Sequence, residues 1–317
     1  MMNNEFWKDR WLRSIPRLHL TPNADLSPFT TMNTRATASL LAIPEDPYAL
    51  RDLIKLVRER EWPLLILGGG SNTIFATPEF EGVVVILDKA LFGQMERVDE
   101  NMVRIGAAAD IKSLLPWIKT QNLMGLEFMT MIPGTVGGAL AGNAGAGNWG
   151  LCDFAERVVV MTRSGRLIEL QRGDFRFSYR YSELSEGIVL EADFLLEPRN
   201  EELAREKTRD FARKKKGQPY NQRSSGCVFK NPRDPRTGRP VSAGKLIDEA
   251  GMKGYSLGHV EVSDGHANFL INKGGASGEA FLAMISLIQD VIQERTGVQF
   301  DIEARIVGGP LTSCILR

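Results

Sequence analysis

Cysteine is scarce in this chain: Cys152, Cys227 and Cys314 are the only three in 317 residues. They form no CxxC pair and no zinc-ligand spacing, which excludes a disulfide framework and a structural zinc site and fits the reducing cytoplasm. Neither charge sign is in surplus, because 39 Lys and Arg balance 39 Asp and Glu. No basic field therefore argues for nucleic acid. The opening stretch MMNNEFWKDRWLRSIPRLHL carries charges throughout and lacks both the apolar core of a secretion signal and the long apolar run of a membrane anchor. Internal repeats and low-complexity tracts are missing as well.

What is present is the composition of a soluble globular protein, 43% apolar and 25% charged, long enough for two or three domains. Trp7, Trp11 and Ile15 stand at helical spacing and predict a helix docked on the body. Asp46 followed by Pro47 reads as an N-cap and first helical residue, with Leu50, Leu53, Ile54 and Val57 as the buried face. Pro63 opens a strand over 64–67 that three glycines end. Residues 83–87 and the alternating Val103 and Ile105 read as strands, and Ile111, Leu114, Leu115 and Ile118 as a short helix. RVVVMT, RLIEL and IVLEADFLLE predict antiparallel strands between 157 and 197. EELAREKTRDFARKKKG is a polar linking helix whose basic end complements the helix dipole. Phe281, Ile285, Ile288 and Ile292 mark a long helix ended by Gly297, and QFDIEARIVG a terminal strand.

Three segments carry groups suited to chemistry. In LGGGSNTIF, residues 67–75, Gly68, Gly69 and Gly70 permit sharp turning and close approach, and Ser71 and Asn72 add donors, an arrangement suited to a pyrophosphate. The run is neither GxGxxG nor a P-loop, since no GK[ST] ends it. IPGTVGGALAGNAGAGNWG, residues 132–150, is dense enough in small residues to wrap a flat cofactor, while Val136, Leu140 and Asn143 argue for an ordered path. RSSGCVFKNP, from Arg223, sets the Cys227 thiol on an apolar strand just before Lys230 and Asn231, which presents an acid beside an anionic ligand. Taken separately, Arg180 beside Tyr179 in the strand-like FSYRYSEL reads as a surface pair, Glu303 as a solvated strand residue, His266 as a turn histidine and Lys214, Lys215 and Lys216 as a solvated helix end.

Taken together, LGGGSN, IPGTVGGALAGNAGA, SYRYS, SSGCVFKNP, SAGKLIDEAGMKG, HANFLINKGGA and EARIVG resemble, in order and spacing from about Thr30 to Gly308, the UDP-N-acetylenolpyruvoylglucosamine reductase (MurB) family. The short span from Arg180 to Ile188 resembles its subtype without an inserted tyrosine loop. The resemblance implies an α+β architecture: an FAD-binding fold of the vanillyl-alcohol-oxidase (PCMH) type, in two α+β subdomains, with a C-terminal α+β substrate-binding domain. The boundaries it suggests are an extension at 1–28, FAD subdomains at 29–95 and 96–200, a linking helix at 201–217 and a substrate domain at 218–317. It implies non-covalent FAD, NADPH as co-substrate and a UDP-sugar as substrate; no metal is expected, and the sequence does not give the oligomeric state, a monomer being the expectation. FAD contacts are expected from Gly68, Gly69, Gly70, Ser71, Asn72, Pro133, Gly134, Thr135, Gly137, Gly138, Asn143 and Gly145.

By the same resemblance, NADPH reduces an enolpyruvyl ether through the flavin, and C2 is then protonated. Arg180 and Glu303 match the pair that stabilises the enol-like charge, and Cys227 stands where the family's proton donor, usually serine, is found. Tyr179, Lys215, Asn231 and His266 match substrate-side positions. A carboxyl group assists such chemistry only when it holds or shares a proton, so Glu303 is expected to titrate high. The Cys227 thiol is expected to be partly activated by Arg180. The chain departs from the family at Arg35-Ala36, at NAGAGNWG and in the longer loop RDPRTGRPV. Two other readings stay open: an FAD oxidoreductase of the same superfamily, which often tethers flavin through His or Cys and here has only His19 early in the chain, and a flavin-binding module without catalysis.

Overall fold

The computed structural model describes residues 6–234 and 237–309. Cys314 and the loop positions Pro235 and Arg236 lie outside the described residues. In the first sheet the spatial order is Leu18–Asp25, Thr37–Pro44, Glu79–Val85, Leu64–Ile66, with the first pair antiparallel and the others parallel. Residues expected as an extension, 1–28, thus supply this sheet's edge strand. Asp46 accepts from the Ala49 amide at 2.8 Å to start the helix Pro47–Glu59, whose Leu50, Leu53, Ile54 and Val57 are buried as their spacing predicts.

Trp7, Trp11 and Ile15 do not share one helical face. Asp9 interrupts the chain, and its carboxylate accepts from the Trp11 and Leu12 amides to begin Arg10–Ser14. Leu12 docks on the core, while Trp11 stays 56% exposed.

The second sheet is antiparallel, in the order Leu167–Gln171, Ala155–Met161, Ile188–Leu195, Met102–Gly106, Met95–Arg97. Its period of two sends Val103, Ile105, Val158, Val160, Ala192 and Phe194 into a core shared with the helices Ile111–Thr120 and Val136–Ala141. The alternate positions make a charged ladder. Arg104 grips Asp193 at 2.8 and 3.0 Å, and Arg157 reaches Glu169 at 2.8 Å and Glu191 at 3.0 Å.

The helix Glu201–Lys214 leads to the third unit, in which Ser256–Leu257, Val260–Val262 and Leu270–Asn272 form an antiparallel sheet beside the helices Ala243–Glu249 and Gly278–Thr296. Phe281, Ile285, Ile288 and Ile292 are fully buried there. Met32, Ile74 and Ala76 belong to the same core, so the first and third units are not packed separately. QFDIEARIVG is not one strand, because it changes partners midway. Ile302 bridges Phe229, and then Arg305–Val307 pairs in parallel with Thr73–Phe75 of the first unit. Among the described residues no helix is long and apolar enough to cross a membrane.

Gly297 closes the long helix at φ 71°, and a Cβ there meets nothing within 4 Å. Gly297→Ala is therefore expected to cost only the left-handed conformational penalty, about 1 kcal/mol, against ~2–5 kcal/mol for Ile288→Ala in the core. Urea midpoints at unchanged m-value check the contrast; equal losses overturn the cap geometry.

Candidate active site

The two glycine runs meet backbone to backbone. A Cβ on Gly68 would lie 2.6 Å from the Thr135 hydroxyl oxygen, and one on Gly69 would lie 2.6 Å from Gly134 Cα. Gly70 turns the chain at φ 58°, and Ser71 Oγ donates to the Pro133 carbonyl at 3.1 Å. Thr135 caps Val136–Ala141 by accepting from the Gly138 amide, and Gly137 leaves room for Ala107. Among the described residues, none of the backbone N–H groups from Gly68 to Asn72 donates to a protein acceptor. Five successive free amides on a turn are an anion nest, and they fit the pyrophosphate of FAD. Asn143, expected at the cofactor, is buried at φ 42° with its carboxamide engaged by the protein. It donates to the Ser178 carbonyl at 2.8 Å and accepts from the Cys152 amide at 3.1 Å.

Arg180 does not sit in a strand. Phe177–Ser178 and Tyr181–Ser182 form a hairpin in which Tyr179 and Arg180 are the turn, with Arg180 at φ 57°. The turn aims the guanidinium inward. Its Nε donates to Glu303 Oε1 at 2.5 Å, and both terminal nitrogens donate to the Gly145 carbonyl at 3.2 Å. Glu303 is fixed from behind, because its amide donates to the Val228 carbonyl at 2.7 Å and Asn72 Nδ2 donates to its carbonyl at 3.2 Å. Val228 follows Cys227 directly, so this contact brings carboxyl and thiol into one site. Burial lifts Glu303 above the ordinary carboxylate range, as expected, against the opposing pull of Arg180 and Lys230.

The Cys227 thiol is not activated. Burial, then repulsion from Glu303, pushes it up to about 12, and Arg180 offsets this only in part. The group is therefore a standing proton reservoir and not a thiolate.

Of the residues expected on the substrate side, Tyr179 and Asn231 meet each other beside Arg180. The Tyr179 hydroxyl accepts from the Asn231 amide at 3.4 Å, and the Asn231 side chain accepts from the Ala243 amide at 3.0 Å, at the start of Ala243–Glu249. Of the three lysines only Lys215 is buried. Its ammonium donates to the Thr130 carbonyl at 2.5 Å and to Phe128 O at 3.4 Å, and burial, helped by Arg180, brings it down to about 8. A cleft of about 410 Å³ is lined by Met131, Gln218, Tyr220, Asn221, Ser263 and Gly265. His266 directly follows Gly265 in the chain; its Nδ1 accepts from the Asn268 amide at 3.3 Å, and burial lowers its pKa. His19 lies elsewhere, exposed and paired with Glu45 at 2.5 Å. Among the described residues no His, Cys, Asp and Glu cluster could hold a metal ion.

Two supporting residues escaped the sequence reading. Thr31 donates its hydroxyl to the Ser224 carbonyl at 2.6 Å and its amide to Gly70 O at 3.3 Å, tying the nest to the segment that carries Cys227, which is not the strand its sequence predicts because Cys227 makes only an isolated bridge, to Phe269. Asn268 clamps Phe229 at both backbone groups, 2.9 and 2.8 Å. An asparagine inside the apolar HANFLIN was the available signal, since a buried carboxamide requires partners.

Fold and cradle together fit a flavoprotein with an FAD-binding domain and an added C-terminal domain. Residues 38–171 match the FAD binding domain, and residues 218–307 match the model described as UDP-N-acetylenolpyruvoylglucosamine reductase, C-terminal domain. A UDP-N-acetylenolpyruvoylglucosamine reductase 1 of Bacillus cereus is 35% identical over 289 residues, covering 89% of this chain and 93% of the relative. The reductase of Geotalea uraniireducens is 35% identical over 288 residues, 90% of this chain and 93% of the relative. A crystal structure of UDP-N-acetylenolpyruvylglucosamine reductase (MurB) from Thermus caldophilus superposes at a TM-score of 0.75 with 29% identity, over 92% of this chain and 99% of that one. The chain belongs to the UDP-N-acetylenolpyruvoylglucosamine reductase family.

The thiol's environment is directly testable. Alkylation of Cys227 by iodoacetamide should rise about tenfold per pH unit between pH 7 and 9 without levelling, as for a group that ionises far above that window. A plateau below pH 9 means that a thiolate is held after all.

Proposed function

We propose that this protein catalyses the NADPH-dependent reduction of UDP-N-acetylglucosamine enolpyruvate to UDP-N-acetylmuramate, a step of peptidoglycan precursor synthesis. The carrying observation is the meeting of Arg180, Glu303 and Cys227 at one point beside the free amides of 68–72. In the division of labour, residues 38–171 hold FAD and residues 218–307 receive the UDP-sugar. Gly68 to Asn72 and Gly134 would hold the pyrophosphate. When bound, FAD supplies the two-electron chemistry by which a hydride from NADPH reaches C3 of the enolpyruvyl group.

The protein's own residues complete the reaction. Hydride addition at C3 moves the alkene electron pair toward C2 and the carboxylate, and Arg180 is placed to stabilise that charge with its planar donors. Glu303, held high by burial, shares a proton with the same oxygen region. Cys227 gives its Sγ proton to C2 and recovers one from solvent, which balances the addition. Lys215 supplies positive charge for the diphosphate, and Tyr179, Asn231 and His266 orient the sugar side.

Glu303→Gln should leave flavin reduction by NADPH within about twofold and slow reoxidation by the enolpyruvyl substrate ~10²–10⁴-fold. Stopped-flow absorbance separates the two halves, and equal slowing of both means that Glu303 is only structural.

Lys215 gives a pH signature. Burial disfavours its ammonium, so the grip on an anion is present below pH about 8 and fades as pH rises through that value. KM for the UDP substrate should climb above pH 8 while NADPH handling stays level, and Lys215→Met should show the high KM at every pH. A flat wild-type profile removes Lys215 from the diphosphate site.

A further inference from the structure

We infer that Asn143 is a positioning residue for Arg180, reached through the hairpin that presents it, and is not a cofactor contact. The inference rests on the reading of Arg180 as the group that stabilises charge on the substrate. The hairpin has only two residue pairs, Phe177 with Ser182 and Ser178 with Tyr181, too few to be stable alone. Its turn also holds a non-glycine residue, Arg180, at φ 57°, a conformation that persists only where the surroundings impose it.

Those surroundings grip the hairpin at both ends. At its base, Arg176 and Glu183 exchange a backbone bond at 3.0 Å and an amide-to-carboxylate bond at 2.7 Å. Toward the tip, the Asn143 carboxamide donates to the carbonyl of Ser178, the residue just before the turn, at 2.8 Å. Its oxygen is held by the Cys152 amide at 3.1 Å, so the donor cannot rotate away without leaving a buried N–H unpaired. Gly150 has no Cβ to intrude on that carboxamide. Asparagine also tolerates the φ of 42° that the site demands. Two residues on, the Gly145 carbonyl accepts from both terminal nitrogens of Arg180 at 3.2 Å. One short segment thus holds the hairpin by a side chain and the guanidinium by a carbonyl. An aliphatic side chain at 143 could not donate to Ser178.

Asn143→Asp isolates the claim, because it keeps the acceptor for Cys152 and the tolerance for positive φ while setting an oxygen against the Ser178 carbonyl. In the purified holoenzyme, flavin reduction by NADPH should stay within about twofold, and reoxidation by the enolpyruvyl substrate should slow ~10²-fold, the scale of an ångström-sized misplacement. Arg180→Lys provides the cycle. If Asn143 acts through Arg180, the Asn143→Asp/Arg180→Lys double variant should be no slower in reoxidation than Arg180→Lys alone. Additive losses overturn the positioning role, as does equal slowing of both half-reactions. Arg180→Lys that reoxidises at the normal rate overturns this inference together with the role of Arg180. Asn143→Ala serves if the Asp variant is isolated without flavin, and loss of FAD from both variants returns Asn143 to the cofactor.

Discussion

Arg180 and Glu303 stand 123 residues apart in the chain and meet at 2.5 Å, both side chains partly buried. The contact joins a hairpin of the second unit to a segment laid against the first and third, so the site exists only when all three units are in register. Its electrostatics are opposed: burial favours the neutral carboxyl and outweighs the guanidinium, which favours the charged one. A carboxyl poised between those pulls can keep or share a proton as charge arrives nearby, which an exposed glutamate cannot do. Cys227, pushed upward by the same burial and by the same Glu303, remains protonated beside it.

The cofactor cradle depends on absence of side chains more than on their presence. Gly68 and Gly69 allow the first loop to touch Thr135 and Gly134 of the second, and Ser71 completes the contact through the Pro133 carbonyl. The amides left free by this contact belong to the backbone, so the nest tolerates change only at positions where no Cβ turns toward the opposite loop. Asn72 lies at its end and also braces the carbonyl of Glu303. The glycine loop and Glu303 are thereby parts of one framework.

Local signals in the sequence carried far. The Asp46-Pro47 start, the buried face of Pro47–Glu59, the alternation in Met102–Gly106 and the Gly297 stop each depend on a few neighbouring residues, and each is found as read. Where the reading departed from the structure, distant contacts decided. Tyr179-Arg180 is a turn without glycine or asparagine, so no local chemistry announced it. Asp9 broke the tryptophan spacing by capping a new helix. The titration of Cys227 and Lys215 follows from burial by remote segments, which no spacing within either motif encodes. Arg180, Cys227 and Glu303 were legible as candidates through resemblance; the supports at Thr31, Asn143 and Asn268 required the folded chain.

The parallel pairing of Arg305–Val307 with Thr73–Phe75 has a further consequence for how the protein is made. Asn72 and Glu303, which flank it, are 231 positions apart. On the ribosome, Ile74 and Phe75, both fully buried at the end, must wait for most of the chain to emerge before their cover arrives. During that interval the edge is an open template for wrong pairing. The newborn chain is therefore most vulnerable along the very strand that later anchors Glu303, and a holdase that shields short apolar edges has its clearest target there.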